Sequence, residues 1–188
     1  AAVFTNILIH WNVVAYVVAL PFLYPWFRAR LVVFGHFAFG ALIALAIGVN
    51  YTTLPLMATF TYTDQTSSLS YGWEEVVDEI ERIKAGTDIG FIATTTYASA
   101  GALAFALKDK DVVSLATRTE AFDFWFDPAA HAGETAIIVA DRKRPLTDAI
   151  KANFASVTRS KRITIERFGY VVERYSIYIA REYAPTSQ

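Results

Sequence analysis

Between His10 and Val49 the chain reads HWNVVAYVVALPFLYPWFRARLVVFGHFAFGALIALAIGV, with two arginines, two histidines and no acid. No other feature constrains the fold as strongly. Trp11–Phe27 and Leu31–Val49 are free of formal charge, and at 1.5 Å per residue they reach roughly 25 and 28 Å, close to a hydrocarbon core of about 30 Å. Neither shows a polar face at helical spacing, and aromatic residues crowd towards the segment ends, where interfacial rings prefer to lie. The expectation is two transmembrane helices over about 11–27 and 31–49; an unusually apolar soluble core is the alternative. Pro21 and Pro25 would kink a helix, a cost that neighbouring helices in a membrane bundle can absorb. Arg28 and Arg30 lie in the short connection, so the positive-inside rule puts that turn in the cytoplasm and residues 62–188 on the other side.

Composition changes near Thr61. Before it Arg28 and Arg30 are the only formal charges; from Tyr62 onward 15 basic and 18 acidic residues give a net charge of −3. The reading is a transmembrane hairpin over residues 1–61 and an extracytoplasmic domain over 62–188. No cysteine is present, which is compatible with either side of a membrane. The opening AAVFTN has no basic stretch and no small-residue cleavage site, so it is taken as the interior of a longer protein rather than a signal peptide. Gly40, Ala44 and Gly48 form a small-residue stripe suited to close helix approach. Asn50-Tyr51-Thr52 matches a glycan-acceptor triplet of a kind that is frequent by chance.

The charged part has clear periodicity. WEEVVDEIERIKAG places Trp73, Val76, Val77, Ile80 and Ile83 on one helical face and Glu79 among the polar positions, with Gly86 as C-terminal cap. IGFIAT, VVSLA and TAIIVAD are buried-type strands, and TTTYASAGALAFAL is a helix with threonines able to cap it. Pro145 opens a helix through PLTDAIKANF with Phe154 on its apolar face. Alternating strands and helices predict an α/β domain with a mainly parallel sheet. KRITIERFGYVVERYSIYIARE alternates apolar and polar residues about Gly169, which predicts a C-terminal antiparallel hairpin closing one edge.

These residues carry a resemblance. HWN and AY leading into a Pro-interrupted span, an Arg-containing turn, a last span, then GWEEVVDEI, FIATTTYASAGALAFAL, RTEAFDFW and YSIYIAREY are similar in order to the C-terminal end of bacterial GT-C membrane glycosyltransferases. The likeness is to the family 39 and family 83 type, related to protein O-mannosyltransferases and the aminoarabinose transferase of lipid A. It covers essentially the whole chain through loose motifs. The resemblance implies a multi-pass enzyme of the cytoplasmic (inner) membrane with a periplasmic domain. Its donor would be a polyprenyl phosphate sugar and its acceptor an envelope lipid, glycan or protein. It also implies that the catalytic acids lie upstream of Ala1, so that this chain alone lacks the expected general base. His10, Trp11 and Asn12 would line the substrate cavity, the histidine donating to a donor phosphate and the tryptophan stacking on sugar or prenyl groups. Members often read HWP there, and Asn12 departs from that. Against this stand an interfacial belt at His10–Asn12 and, for the whole, a non-enzymatic membrane-anchored assembly module.

Other clusters are weaker. Asp123 and Asp127 near Trp125 could hold a cation or a sugar hydroxyl, but carboxylates there are more often turn and capping groups. His131 has no partner at metal-ligand spacing, no phosphate loop or cofactor motif is present, and the acidic balance does not fit nucleic acid. DRKRP and RSKR (Arg159–Arg162) are charge clusters, read as solvated edges or, more sharply, as contacts to anionic lipid headgroups.

Overall fold

The 23 residues Arg30–Thr52 form a single helix, α1, long and apolar enough to cross a membrane. The fold is that of a computed structural model, which describes residues 22–23, 25–56, 69–116, 121–124 and 126–185. Of the expected first span only the end is described: Trp26–Arg28 make one turn of 3-10 helix, and Ala29 is extended (φ −81°, ψ 112°), which breaks the backbone before α1 starts at Arg30. Residues 11–21 of that span lie outside the described residues. Most side chains along α1 are exposed, Asn50 being buried, and a Cβ added at Gly40 or Gly48 would meet open space. The chain divides into two units at Gly48, so the last turn of α1 belongs with the α/β domain. Within that second unit the Tyr71 hydroxyl donates to the Asn50 carbonyl at 2.6 Å, and Asn50 is buried, which makes it a poor glycan acceptor.

The domain is built from α2 (Trp73–Lys84), β1 (Phe91–Thr94), α3 (Tyr97–Leu107), β2 (Val112–Ser114), β3 (Ala136–Ala140), α4 (Asp148–Lys151), β4 (Phe154–Arg167) and β5 (Tyr170–Tyr183). Its sheet has the order β2-β1-β3-β5-β4. β1 pairs parallel with β2 and β3, whereas β5 pairs antiparallel with β3 and β4. The expected mainly parallel sheet is therefore mixed, because the hairpin strands are 14 residues each and outweigh the short parallel ones.

Strand alternation sorts side chains into two cores. Ile137 and Val139 join Ile177, Tyr175, Val76, Ile80 and Leu103 under α2 and α3. Ala136, Ile138 and Ala140 join Phe91, Leu146, Ile150, Phe154 and Tyr183 on the opposite face. Both faces are covered, which is why β1 and β3 read as unbroken apolar runs.

Four local expectations change. Gly86 is not a left-handed cap; the glycine that is needed is Gly72, at φ 87° before α2, where an added Cβ would collide with Ile165. Thr96 precedes α3 without a side-chain capping bond, while Thr94 Oγ1 donates to the Thr96 carbonyl at 2.8 Å. The helix expected from Pro145 through Phe154 is only Asp148–Lys151, capped by Thr147 Oγ1. Phe154 leaves it to open β4, paired with Tyr183 at a ring distance of 5.0 Å. Glu79, assigned to the polar face, is 3% exposed and is held by Arg82 and by Lys161 of β4.

Candidate functional site

β1 has β2 on one side and β3 on the other, so the chain reverses direction across the sheet between them, and the carboxyl ends of such strands are where open α/β sheets place ligands. The residues there are polar: Thr94 ending β1 with Thr95 and Thr96 after it, Ser114 ending β2 and Asp141 after β3. Their polar groups turn inward. Asp141 Oδ2 accepts from Ser99 Oγ at 3.0 Å, and Oδ1 accepts from the N–H groups of Lys143 and Arg144 at 2.9 and 2.7 Å. Thr95 Oγ1 donates to the Arg144 carbonyl. Buried Glu173 accepts from the N–H of Arg174 at 2.7 Å and of Arg142 at 3.4 Å. This network fixes the loop after β3 and ties it to α3 and β5, leaving the Asp141 carboxylate committed to structure.

Open space lies elsewhere. A cleft of about 940 Å³ runs along α2 and α3, with Trp73, Glu74, Glu75 and Asp78 on one side and Ala102, Phe105 and Lys108 on the other; Thr52, Tyr71 and Arg167 complete it. Trp73 forms its floor. The indole donates to the Leu69 carbonyl at 2.7 Å and packs on Tyr175 with centroids 4.8 Å apart, so its plane is fixed from below. Phe105 is 87% exposed, an uncovered ring at the cleft's edge. Glu75 Oε1 accepts from Arg167 Nη2 at 2.9 Å, while Oε2 is buried and accepts no hydrogen bond among the described residues. Burial pushes the Glu75 carboxyl up, but its own backbone N–H and the Arg167 guanidinium outweigh that and hold it below the ordinary carboxylate range. Chemically, aromatic edges beside carboxylates suit a ligand with apolar faces and hydroxyl donors.

The residues singled out in the sequence do not converge on this cleft, apart from those of α2. His10, Trp11 and Asn12 lie outside the described residues. Asp127 Oδ1 accepts from the N–H groups of Ala129 and Ala130 at 3.0 and 3.4 Å, the turn-capping role, and Asp123 belongs to the 3-10 turn Ala121–Phe124. His131 stacks on Phe126 at 4.9 Å and its Nδ1 lies 2.7 Å from Glu134 Oε2, beside a smaller cavity of about 400 Å³ at the amino ends of β1 and β2. No group of three His, Cys, Asp or Glu side chains among the described residues could hold a metal ion. Sequence reasoning missed the Ser99–Asp141 pair, although an aspartate directly after an apolar parallel strand was the available signal. It also missed Glu75, a lining residue of the cleft whose Oε2 is buried without a hydrogen-bond partner among the described residues. Set beside protein families, curated proteins and solved structures, the chain matches none of them.

Proposed function

We propose that this chain is the C-terminal part of a membrane glycosyltransferase that moves a sugar from a polyprenyl phosphate donor to an envelope lipid, glycan or protein acceptor. In this reading α1 is the last of several spans, residues 62–188 are periplasmic, and His10, Trp11 and Asn12 line the donor cavity. The catalytic acids lie upstream, and the α/β domain serves acceptor recognition or support. The observation that carries the reading is a cleft lined by an exposed Phe105 and by Glu75, in a compact unit that takes in the last turn of a helix apolar enough to cross a membrane. A glycolipid or prenyl-linked acceptor combines the apolar surface and the hydroxyls such a cleft would engage.

The test is sugar transfer by the full-length protein in membranes supplied with polyprenyl phosphate sugar. Phe105→Ser should raise KM for the acceptor roughly fivefold, about 1 kcal/mol of lost contact, while donor KM stays unchanged. Failure of the unmodified full-length protein to consume the donor would remove the reading. A non-enzymatic assembly module is favoured by one specific observation, the commitment of Glu79, Asp141 and Glu173 to structural bonds. Under that reading donor consumption is absent and Phe105→Ser weakens capture of an envelope partner.

A further inference from the structure

The second basic cluster of the sequence puts Arg159 and Arg162 on one face of the hairpin with Arg174, and the loop that carries the first touches the hairpin where the Arg142 N–H donates to Glu173. Directly paired residues of neighbouring strands share a face, and the pairings are Arg159 with Tyr178, Arg162 with Ser176 and Thr164 with Arg174. Tyr178 and Ala180 pack with the second core, so Arg159, Arg162 and Arg174 continue that face beyond it, and all three are exposed. Arg159 and Arg162 are three apart, a spacing that would normally send them to opposite faces. The irregularity between Arg159 and Lys161 inserts one residue and puts them on the same side. Lys161 goes the other way, to Glu79, and Arg167 to Glu75.

The cations are thereby divided. Those facing α2 meet its acids, whereas Arg159, Arg162, Arg174, and Lys143 and Arg144 in the loop after β3, form no ion pair among the described residues. Charge on an exposed edge strand discourages edge-to-edge pairing, and that accounts for Arg159 and Arg162 on β4. β5 runs past its pairing with β3, which ends at Ser176, so Arg174 shares that account, but Lys143 and Arg144, which lie in no strand, do not.

We propose that this face of the β4–β5 hairpin, Arg159, Arg162 and Arg174 with Lys143 and Arg144 at its rim, binds the phosphate-bearing headgroups of an anionic lipid surface. Guanidinium groups pair bidentately with phosphate, and an exposed two-stranded surface presents them to a plane of headgroups rather than to one enclosed anion. The commitment to lipid rests on chain continuity. Only 16 residues separate Thr52, the end of a helix that can cross a bilayer, from Leu69, and such a segment reaches at most about 60 Å. At that tether length weak attraction per cation suffices, because the surface is held at high effective concentration. The inference stands independently of the glycosyltransferase reading.

The absence of cysteine makes the test direct. The full chain carrying Thr164→Cys, labelled with a polarity-sensitive dye between Arg162 and Arg174, is placed in nanodiscs of phosphatidylcholine alone or mixed with phosphatidylglycerol. Blue-shifted emission is expected only with phosphatidylglycerol, and it should vanish at high salt. A label at Asp78, on α2, should not respond. Changing Arg159, Arg162 and Arg174 together to Gln should lower the bound-to-free ratio about a hundredfold, at about fivefold per lost cation, with the melting temperature in neutral nanodiscs unchanged. The lipid and salt comparisons use native arginines and do not depend on how that variant folds. Equal emission in both lipids overturns the proposal. So does a response to soluble inorganic polyphosphate with none to phosphatidylglycerol, which would assign the face to a soluble polyanion.

Discussion

Glu79 is 3% exposed and accepts from Arg82, three residues on, and from Lys161, 82 residues on. The Arg82 hydrogen bond, aided by Lys161, outweighs burial and holds the carboxyl down to about 2. Because the folded-state value is depressed, the stabilisation is present above the unfolded value of about 4.5 and is lost as pH falls from there towards 2. Both cationic partners are more than half exposed, so screening reduces the contribution to on the order of 1–2 kcal/mol. Glu79→Gln is expected to lower the unfolding free energy by about that amount at pH 7. Denaturant titrations across the window should show the gap between variant and parent closing from pH 4.5 downward. A gap that persists at pH 2 would assign the loss to packing. Glu79 also shows where sequence reading stops. Its helical position places it beside Arg82, but nothing in the spacing of WEEVVDEIERIK discloses a partner on a strand that pairs much later.

Among the elements, α1 was legible because a bilayer-length run without charge has few alternatives, and the hairpin because period-two alternation about Gly169 persists on both sides. The hairpin's first half was not. ANFASVTRS shows no clean alternation, Phe154 reads equally well as the last apolar position of a helix, and the inserted residue near Ser160 puts this stretch one residue out of phase with the half that follows. Pairing with Tyr183 decides the matter, and that is a tertiary event. The same insertion sets the faces of everything before it, which makes it testable. Deleting Ser160 would force residues 154–159 either to slip register or to turn Phe154 and Val157 out of the second core. Expelling a buried phenylalanine costs on the order of 3 kcal/mol, so the deletion should lower stability by about that much in a denaturant titration, whereas Ser160→Ala should change it by less than about 0.5 kcal/mol. Equal effects would mean that the insertion is incidental. The cleft was half legible: Glu74, Glu75 and Asp78 follow from the polar face of α2, but the exposure of Phe105 requires knowing that only one side of the apolar α3 is covered.

For the whole molecule, the topology and the chemistry are separable. If the proposed topology holds, with Arg28 and Arg30 on the cytoplasmic side, a cysteine at Ala29 should react only with thiol reagents that enter the cell, and one at Asp78 should react from outside; equal labelling of both would sink the orientation. The chemical expectation concerns His10 and Trp11, which the family resemblance sets at the donor cavity. If the proposed activity holds, His10→Ala in the full-length protein should lower sugar transfer while the amount of protein in the membrane stays nearly constant. Loss of a hydrogen bond to a charged phosphate costs roughly 1.5–3 kcal/mol, equivalent to about a tenfold to hundredfold drop in rate or donor affinity. Trp11→Ala should act in the same direction by removing a stacking surface worth about 1 kcal/mol. If the two residues are instead an interfacial anchor, both variants should reduce insertion and leave activity per molecule unchanged, so activity normalised to membrane level discriminates. The 188-residue chain alone should transfer no sugar, because the resemblance places the proton-abstracting acids upstream. Transfer by the isolated chain would overturn that division of labour. The search for a base would then turn to the cleft, where Glu74 and Glu75 lie beside open space, ahead of Asp127, whose carboxylate already caps a turn.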